Sequence, residues 1–341
     1  TIENTRTNST LTSPSLPVMD GRKRFNPARN QGLPYNFFGD YLWEKYQCRV
    51  LKLPVSAGLT CPNRDGTLSD SGCLFCSDEG SASPTCASAR DILTQMQSAR
   101  DSFRRSSAET RYIAYFQAFT NTYAPASRLK ELYDLAVTFP DIIGMMIGTR
   151  PDCLPDDVLD LIASYAGENF ELWLEVGVQT VHDRSLALLN RGHDHAASRD
   201  ALLRAAARRI PLCAHLILGI PGESWQDMMS TAEEISRLPV AGVKIHHLHV
   251  IKGTALEPLY RRGQIAPLSF RTYISTLCDF LERLRPDILI HRLMGDRAAD
   301  TLAAPRWGLH KGTVLKAIED EFRSRETWQG FLFQPEAENT D

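Results

Sequence analysis

The stretch Thr60–Cys76, TCPNRDGTLSDSGCLFC, carries three cysteines, with eleven residues between Cys61 and Cys73 and two between Cys73 and Cys76. Three thiolates that converge on one point suggest a metal centre. Iron–sulfur clusters are held by cysteine thiolates, and a [4Fe-4S] cube held by only three of them keeps one iron open for a substrate. The competing reading is a structural zinc site, which is normally closed by four ligands. Cys86 would have to supply the fourth, since no histidine precedes His182.

Outward from this loop the chain alternates short apolar runs with amphipathic helical stretches, the rhythm of βα units and a parallel sheet. RVLKLPV, ending at Val55, is the first strand, and the cysteine loop follows its C-terminal end. A helix near Asp91–Ser106 comes next. Five further pairs follow: RYIAYFQA with SRLKELYDLAVTF, DIIGMMIG with PDDVLDLIASYA, and FELWLEVGV with a helix around Ala196–Arg209. PLCAHLILG with SWQDMMSTAEEISRL and AGVKIHHLHV with SFRTYISTLCDFLERL complete them. Six units are too few for a closed eight-stranded barrel. Right-handed crossovers still put every helix outside and gather the loops at the C-terminal ends of the strands, where barrel enzymes carry their chemistry.

The cysteine pattern, with the aromatic Phe75 just before its last cysteine, resembles the signature of radical S-adenosylmethionine (SAM) enzymes. The usual gap between the first two cysteines is three residues, so this is a long-loop variant. The string CPNRDG followed by GC and FC is similar to the bacterial YhcC/YtqA group, which is related to the radical SAM domain of the elongator catalytic subunit. The resemblance covers Phe25 to Gly330. It implies an α/β fold, a partial (β/α)6 TIM-like barrel, with a [4Fe-4S] cluster on Cys61, Cys73 and Cys76 and SAM as the second cofactor. It also implies reductive cleavage of SAM to a 5'-deoxyadenosyl radical, fed by a low-potential donor such as flavodoxin or ferredoxin, with Phe75 near the adenine. Members of the group have been linked to the side chain of the tRNA wobble uridine, which makes tRNA the expected partner. A radical SAM enzyme acting on a small molecule or a protein stays open, as does a non-enzymatic zinc protein.

The strand ends supply further candidates. After strand 2 the chain lacks the glycines that many radical SAM proteins use to hold the SAM amino group. Its FQAFTNTYA looks like the version of the YhcC/YtqA group, which implicates Gln117 and Asn121; turn hydrogen bonding is the bland alternative. Strand 3 ends GTRPDCL, and Pro151 forces Arg150 to be extended, able to meet a carboxylate in two parallel hydrogen bonds; the alternative is an ion pair with Asp152 or Asp156. In strand 4, LEVGVQT alternates Glu175, Gly177 and Gln179 onto one face, and buried polar groups there need partners; the resemblance implies ribose or methionine contacts for Glu175 and Gln179. NRGH follows, where His193 is a weaker candidate. Strand 5 ends LILGIPGES, whose Gly219, Gly222 and Glu223 resemble the turn laid against adenine, while Ser224 is read as a helix cap. In strand 6, period-2 alternation puts His247 and His249 on one face and Lys244 and His246 on the other. His247, His249 and Lys252 are assigned to substrate binding or proton transfer, against the alternative of satisfied core histidines. Arg292, Asp296, Trp307 and Lys311 are candidates to close the barrel mouth.

Composition is that of a soluble globular protein: 341 residues, 43% apolar, 23% charged and a net charge of −3. Eight cysteines in a chain of this length do not make a disulfide scaffold. Cys48, Cys153, Cys213 and Cys278 read as core packing. No stretch approaches the roughly 18 apolar residues of a membrane span, and no signal peptide opens the chain, so a cytoplasmic enzyme without a membrane partner is expected. The expected organisation is a disordered tail (1–24), an N-terminal extension (25–48), the barrel (49–255), a covering C-terminal extension (256–335) and a tail (336–341). Gly21–Arg29 carries four basic residues and no acid, read either as a patch for RNA phosphates or as a solvated basic segment.

Overall fold

A computed structural model describes residues 32–77, 80, 91–103, 109–295 and 297–335. The two tails, the basic Gly21–Arg29 segment, Cys86 and Asp296 lie outside the described residues. The elements in order are α1 (Phe38–Tyr46), β1 (Val50–Val55), α2 (Ile92–Ser102), β2 (Arg111–Phe116), α3 (Ala126–Val137), β3 (Ile142–Thr149), α4 (Asp156–Ala163) and β4 (Glu171–Gln179). Then come α5 (Asp183–Leu188), α6 (His195–Ala207), β5 (Leu212–Leu218), α7 (Trp225–Arg237), β6 (Gly242–His247) and β7 (Val250–Ile251). The chain continues with α8 (Leu256–Arg261), α9 (Phe270–Arg283), β8 (Leu289–Arg292), β9 (Leu302–Ala304) and α10 (Lys311–Arg325).

Seven strands form one parallel sheet in the order β1-β2-β3-β4-β5-β6-β8, a curled half-barrel open between its two edges. The six expected βα units are present, and β8 adds a seventh strand where the sequence reading expected only a C-terminal extension. The strand expected to run to Val250 ends instead at His247; β7 and β9 pair antiparallel as a separate two-stranded sheet.

The alternation of each strand divides its residues between two environments. Leu53, Val55, Ala114, Phe116, Met145, Ile147, Leu174, Val176, Ala214, Leu216, Val243, Ile245 and Ile290 face the outer helices and form the main core. Strands covered on both faces are buried throughout, as all nine residues of β4 are. The helices start where short polar side chains satisfy their free N–H groups: Asp194 accepts from Ala197 N at 2.8 Å, and Ser224 and Asp227 form a reciprocal capping box on α7.

Helix α1 closes the N-terminal end of the barrel. Phe38 and Leu42 pack on the inward residues Ile113, Met146, Trp173, Cys213 and Leu289. The buried Glu171 carboxylate accepts from Lys45 Nζ at 2.7 Å, Tyr46 OH at 2.9 Å and Tyr41 OH at 3.1 Å on one oxygen. Its other oxygen accepts from Trp173 Nε1 at 2.7 Å. The barrel therefore has a floor at one end and the cysteine loop at the other.

Candidate active site

The cysteine loop leaves β1 and folds back on itself through backbone hydrogen bonds. Arg64 N donates to Cys61 O at 2.8 Å, Gly72 N to Asn63 O at 2.7 Å and Cys76 N to Cys73 O at 2.9 Å. The segment after β4 clasps it: Asn190 Nδ2 donates to Gly72 O at 2.7 Å, Leu74 N donates to Leu189 O at 3.1 Å, and Asn63 Nδ2 bonds closely to Asn190 O. Gly192 completes the clasp at φ +68°, where an added Cβ would stand 3.1 Å from Asn63 Oδ1; both the backbone and the space call for glycine.

Cys61 and Cys73 are buried and Cys76 is half-buried. Each of the last two sulfurs faces N–H donors. Arg191 Nη1 lies 3.2 Å and Asn63 Nδ2 3.5 Å from Cys73 Sγ, while Arg64 Nη1 lies 3.4 Å from Cys76 Sγ. Burial opposes ionisation of Cys73, but the Arg191 and Arg150 guanidiniums outweigh it and lower the thiol pKa. For Cys76, burial and the neighbouring Cys73 and Cys61 win over Arg64, and the thiol pKa rises. The donor set of three thiols, two of them facing fixed N–H donors and one drawn toward thiolate, fits an iron–sulfur cluster.

Around this loop the structure gathers several of the expected residues. Phe75 packs against the apolar cluster at the tops of β5 and β6 that contains Ile217, Ile220 and Leu248. Arg150 is buried, clamped by Asp152 through two contacts of 2.9 Å, and donates to Arg191 O; its Nη1 has no partner among the described residues. Glu175, Gly177 and Gln179 do face the barrel interior, and Gln179 holds φ 70° at an irregularity in β4. Asn121 is fully buried and donates to Gly148 O at 2.9 Å, bracing the end of β3. Gln117 follows the last residue of β2 at half burial, its N–H donating to Val55 O at 3.4 Å. Gly219 and Gly222 turn the chain after β5 at φ +83° and +84°, and Glu223 accepts from Thr180 Oγ1 at 2.6 Å.

Other candidates stand apart. His247 belongs to the outward phase of β6 and stacks on Trp307 at 4.2 Å, beside Tyr273. His249 Nε2 lies 2.7 Å from His247 Nε2, and Lys252 Nζ donates to Asp300 O at 2.5 Å, at the surface. The inward members of β6 are Lys244 and His246. His193 is half-buried beside Arg191, and burial with that neighbour lowers its pKa to about 4. Asn63, Arg64 and Arg191 were not singled out by the sequence reading. The signal available for them was the NRD and NRG strings on either side of the same loop.

A family model of the radical SAM superfamily matches residues 67–235, and one of the radical SAM C-terminal domain matches 240–324. The Bacillus subtilis protein YtqA is 39% identical over 308 residues, 90% of this chain and 95% of YtqA. A tRNA uridine(34) acetyltransferase of Dehalococcoides mccartyi is 26% identical over 48% of this chain and 35% of its own length. Among solved structures, the archaeal Methanocaldococcus infernus Elp3 superposes with a TM-score of 0.60 at 16% identity, covering 83% of this chain and 64% of that one, a likeness of fold.

Proposed function

Because the chain belongs to the radical SAM superfamily, in its YhcC/YtqA group, we propose that Cys61, Cys73 and Cys76 hold a [4Fe-4S] cluster and that the protein cleaves SAM reductively. The observation that carries this reading is the three-cysteine loop at the C-terminal rim of the barrel, with Arg191, Asn63 and Arg64 donating to its sulfurs. When bound, the cluster supplies, from a donor such as flavodoxin or ferredoxin, the electron that splits SAM into methionine and a 5'-deoxyadenosyl radical; the protein aims and shields that chemistry. Arg191 and Asn63 favour the thiolate of Cys73, and hydrogen bonds to sulfur are one of the levers on cluster potential. The unpartnered Arg150 Nη1 suits a carboxylate. The apolar shelf of Phe75, Ile217, Ile220 and Leu248 suits one face of adenine. Glycines 219 and 222 allow close approach of backbone to a ligand.

Anaerobic reconstitution tests the reaction. The expected result is a brown protein with about four irons per chain that releases 5'-deoxyadenosine when reductant and SAM are added. A colourless protein with one zinc on four thiolates overturns it.

The proposed substrate is a tRNA wobble uridine. The support is the likeness to the elongator-related group, the similarity to the Dehalococcoides tRNA uridine(34) acetyltransferase and the basic Gly21–Arg29 segment. Phosphate contacts make affinity fall with salt, with a log–log slope of roughly −0.9 per neutralised phosphate on duplex nucleic acid and −0.7 on single strands. Transfer RNA binding to the full chain is expected to show a slope of several units between about 50 and 200 mM salt. A flat response moves the substrate to a small molecule or a protein.

A further inference from the structure

Below the cysteine loop the inward residues are polar, and their charges do not balance. Lys52 of β1, Tyr115 of β2, Glu175 of β4, His215 of β5, Lys244 and His246 of β6 and His291 of β8 share the phase opposite to the helix-facing core. At a rise of roughly 3.3 Å per residue, Lys52 lies about 10 Å below the end of β1. The one carboxylate of this set, Glu175, is fully buried. Its Oε2 is already engaged, by His215 Nε2 at 3.0 Å and by a close ion pair with Lys244. Lys244 also donates to Tyr115 OH at 2.8 Å.

Lys52 is left over. Among the described residues no carboxylate lies within ion-pair distance of it; Glu175 acts on it through space but is paired with Lys244. Its ammonium lies 5.1 Å from the centre of the Phe38 ring and 5.6 Å from that of Tyr115. Burial and the nearby Lys244 push its pKa down to about 7. Across from it, His291 lies flat on Phe38 at 3.8 Å with both ring nitrogens buried and unpartnered among the described residues. Gly242 makes room for that ring, since a Cβ there would stand 2.6 Å from Nε2. The surroundings are not solid core: the His215 side chain keeps 22% of its surface accessible within the barrel. Glu175, Cys213 and His215 offer ligand atoms within 4.8 Å of one another. A cation there would find Glu175 Oε1 unpartnered among the described residues but would face both Lys244 and Lys52, so the chamber's charge suits an anion.

We propose that the barrel lumen between α1 and the cysteine loop is a carboxylate-binding chamber, in which Lys52 and His291 receive an anionic group of the substrate beside the Lys244–Glu175 pair. This names a substrate class and rests on the proposed reaction for the identity of the bound molecule. The chamber is closed below by α1, and a carboxylate that enters from the rim leaves the atoms next to it facing the cysteine loop. The chain lends the carboxylate a charge and an N–H; no bond is made or broken at this depth.

Sodium acetate, sodium phosphate and sodium chloride at equal ionic strength are the probes, added to the reconstituted full chain before SAM. Melting temperature and calorimetric affinity are the readouts, since a ligand that binds only the folded state stabilises it by RT ln(1 + [L]/Kd). Acetate is expected to raise the melting temperature above that in chloride, and Lys52→Met and Lys52→Gln are each expected to weaken acetate binding by about 10- to 100-fold, the loss of a hydrogen bond to a charged group. Equal melting temperatures in acetate and chloride, binding of phosphate in place of acetate, or unchanged affinity in both Lys52 variants each overturn the proposal. Release of 5'-deoxyadenosine without added substrate is measured on the same wild-type sample. If release persists without an acetate effect, the chamber alone falls; if an acetate effect persists without release, the radical reading alone falls.

Discussion

Alanine at Cys61, Cys73 or Cys76 is expected to reduce bound iron from about four atoms per chain, the content of one [4Fe-4S] cube, to near zero, and release of 5'-deoxyadenosine to the uncatalysed background. Cys86→Ala is expected to change neither. The physical argument is that three thiolates are the least that holds a cube with one iron open, so losing one leaves two anchors and a cluster exposed on the rim. Iron analysis, the visible spectrum and chromatography of the nucleoside check this together. Full iron content in any of the three variants sinks the assignment. Dependence of metal binding on Cys86 would favour the four-thiolate zinc site.

Glu175→Leu is expected to be the most destabilising single change inside the barrel. It leaves Lys244, only 5% exposed at its side chain, without its counter-charge, and breaking a buried pair by removing one partner costs about 3–5 kcal/mol. The double variant Glu175→Leu/Lys244→Met should recover most of that loss, because removing both charges avoids the orphan. Denaturant unfolding of the wild type, Glu175→Leu, Lys244→Met and the double variant measures the cycle. The same pair sets an acid limit. Burial opposes ionisation of Glu175, but Lys244 and His215 overcome it and hold the carboxyl pKa well below the usual range. A carboxylate with a depressed folded pKa contributes stability that is fully present above its unfolded value near 4.3 and is lost as pH falls toward the folded value. Wild-type stability should therefore decline below about pH 4.3 more steeply than that of the double variant.

What the sequence made legible follows from what each residue type can do alone. A thiolate triad with fixed spacing keeps its meaning outside the fold, and an apolar run between turn residues reads as a strand wherever it packs. The alternation of Glu175, Gly177 and Gln179 is such a case, since three residues two apart share a face whatever surrounds them. In β6 both alternating sets carry polar groups, so the period left the inward set undecided. The decision comes from Val243 and Ile245, whose apolar side chains go to the helices and carry His247 out with them. Strand β8 is four residues long, half of them polar, and becomes a strand through its pairing with β6 rather than through propensity. Arg191 is the clearest omission. An arginine in a loop reads as solvated, and its sulfur partner lies 118 residues earlier in the chain, a relation that only the folded barrel creates.

Helix α1 makes the barrel a cup rather than a tube. The Glu171 clamp fixes Lys45, Tyr41 and Tyr46 across the bottom, and Phe38 seals the centre. A cup fills in sequence. With SAM seated at the rim as proposed, a group that passes the rim to reach the depth of Lys52 must arrive first and leave last. Turnover then has a compulsory order, in which excess SAM lids an empty cup and slows the enzyme instead of driving it.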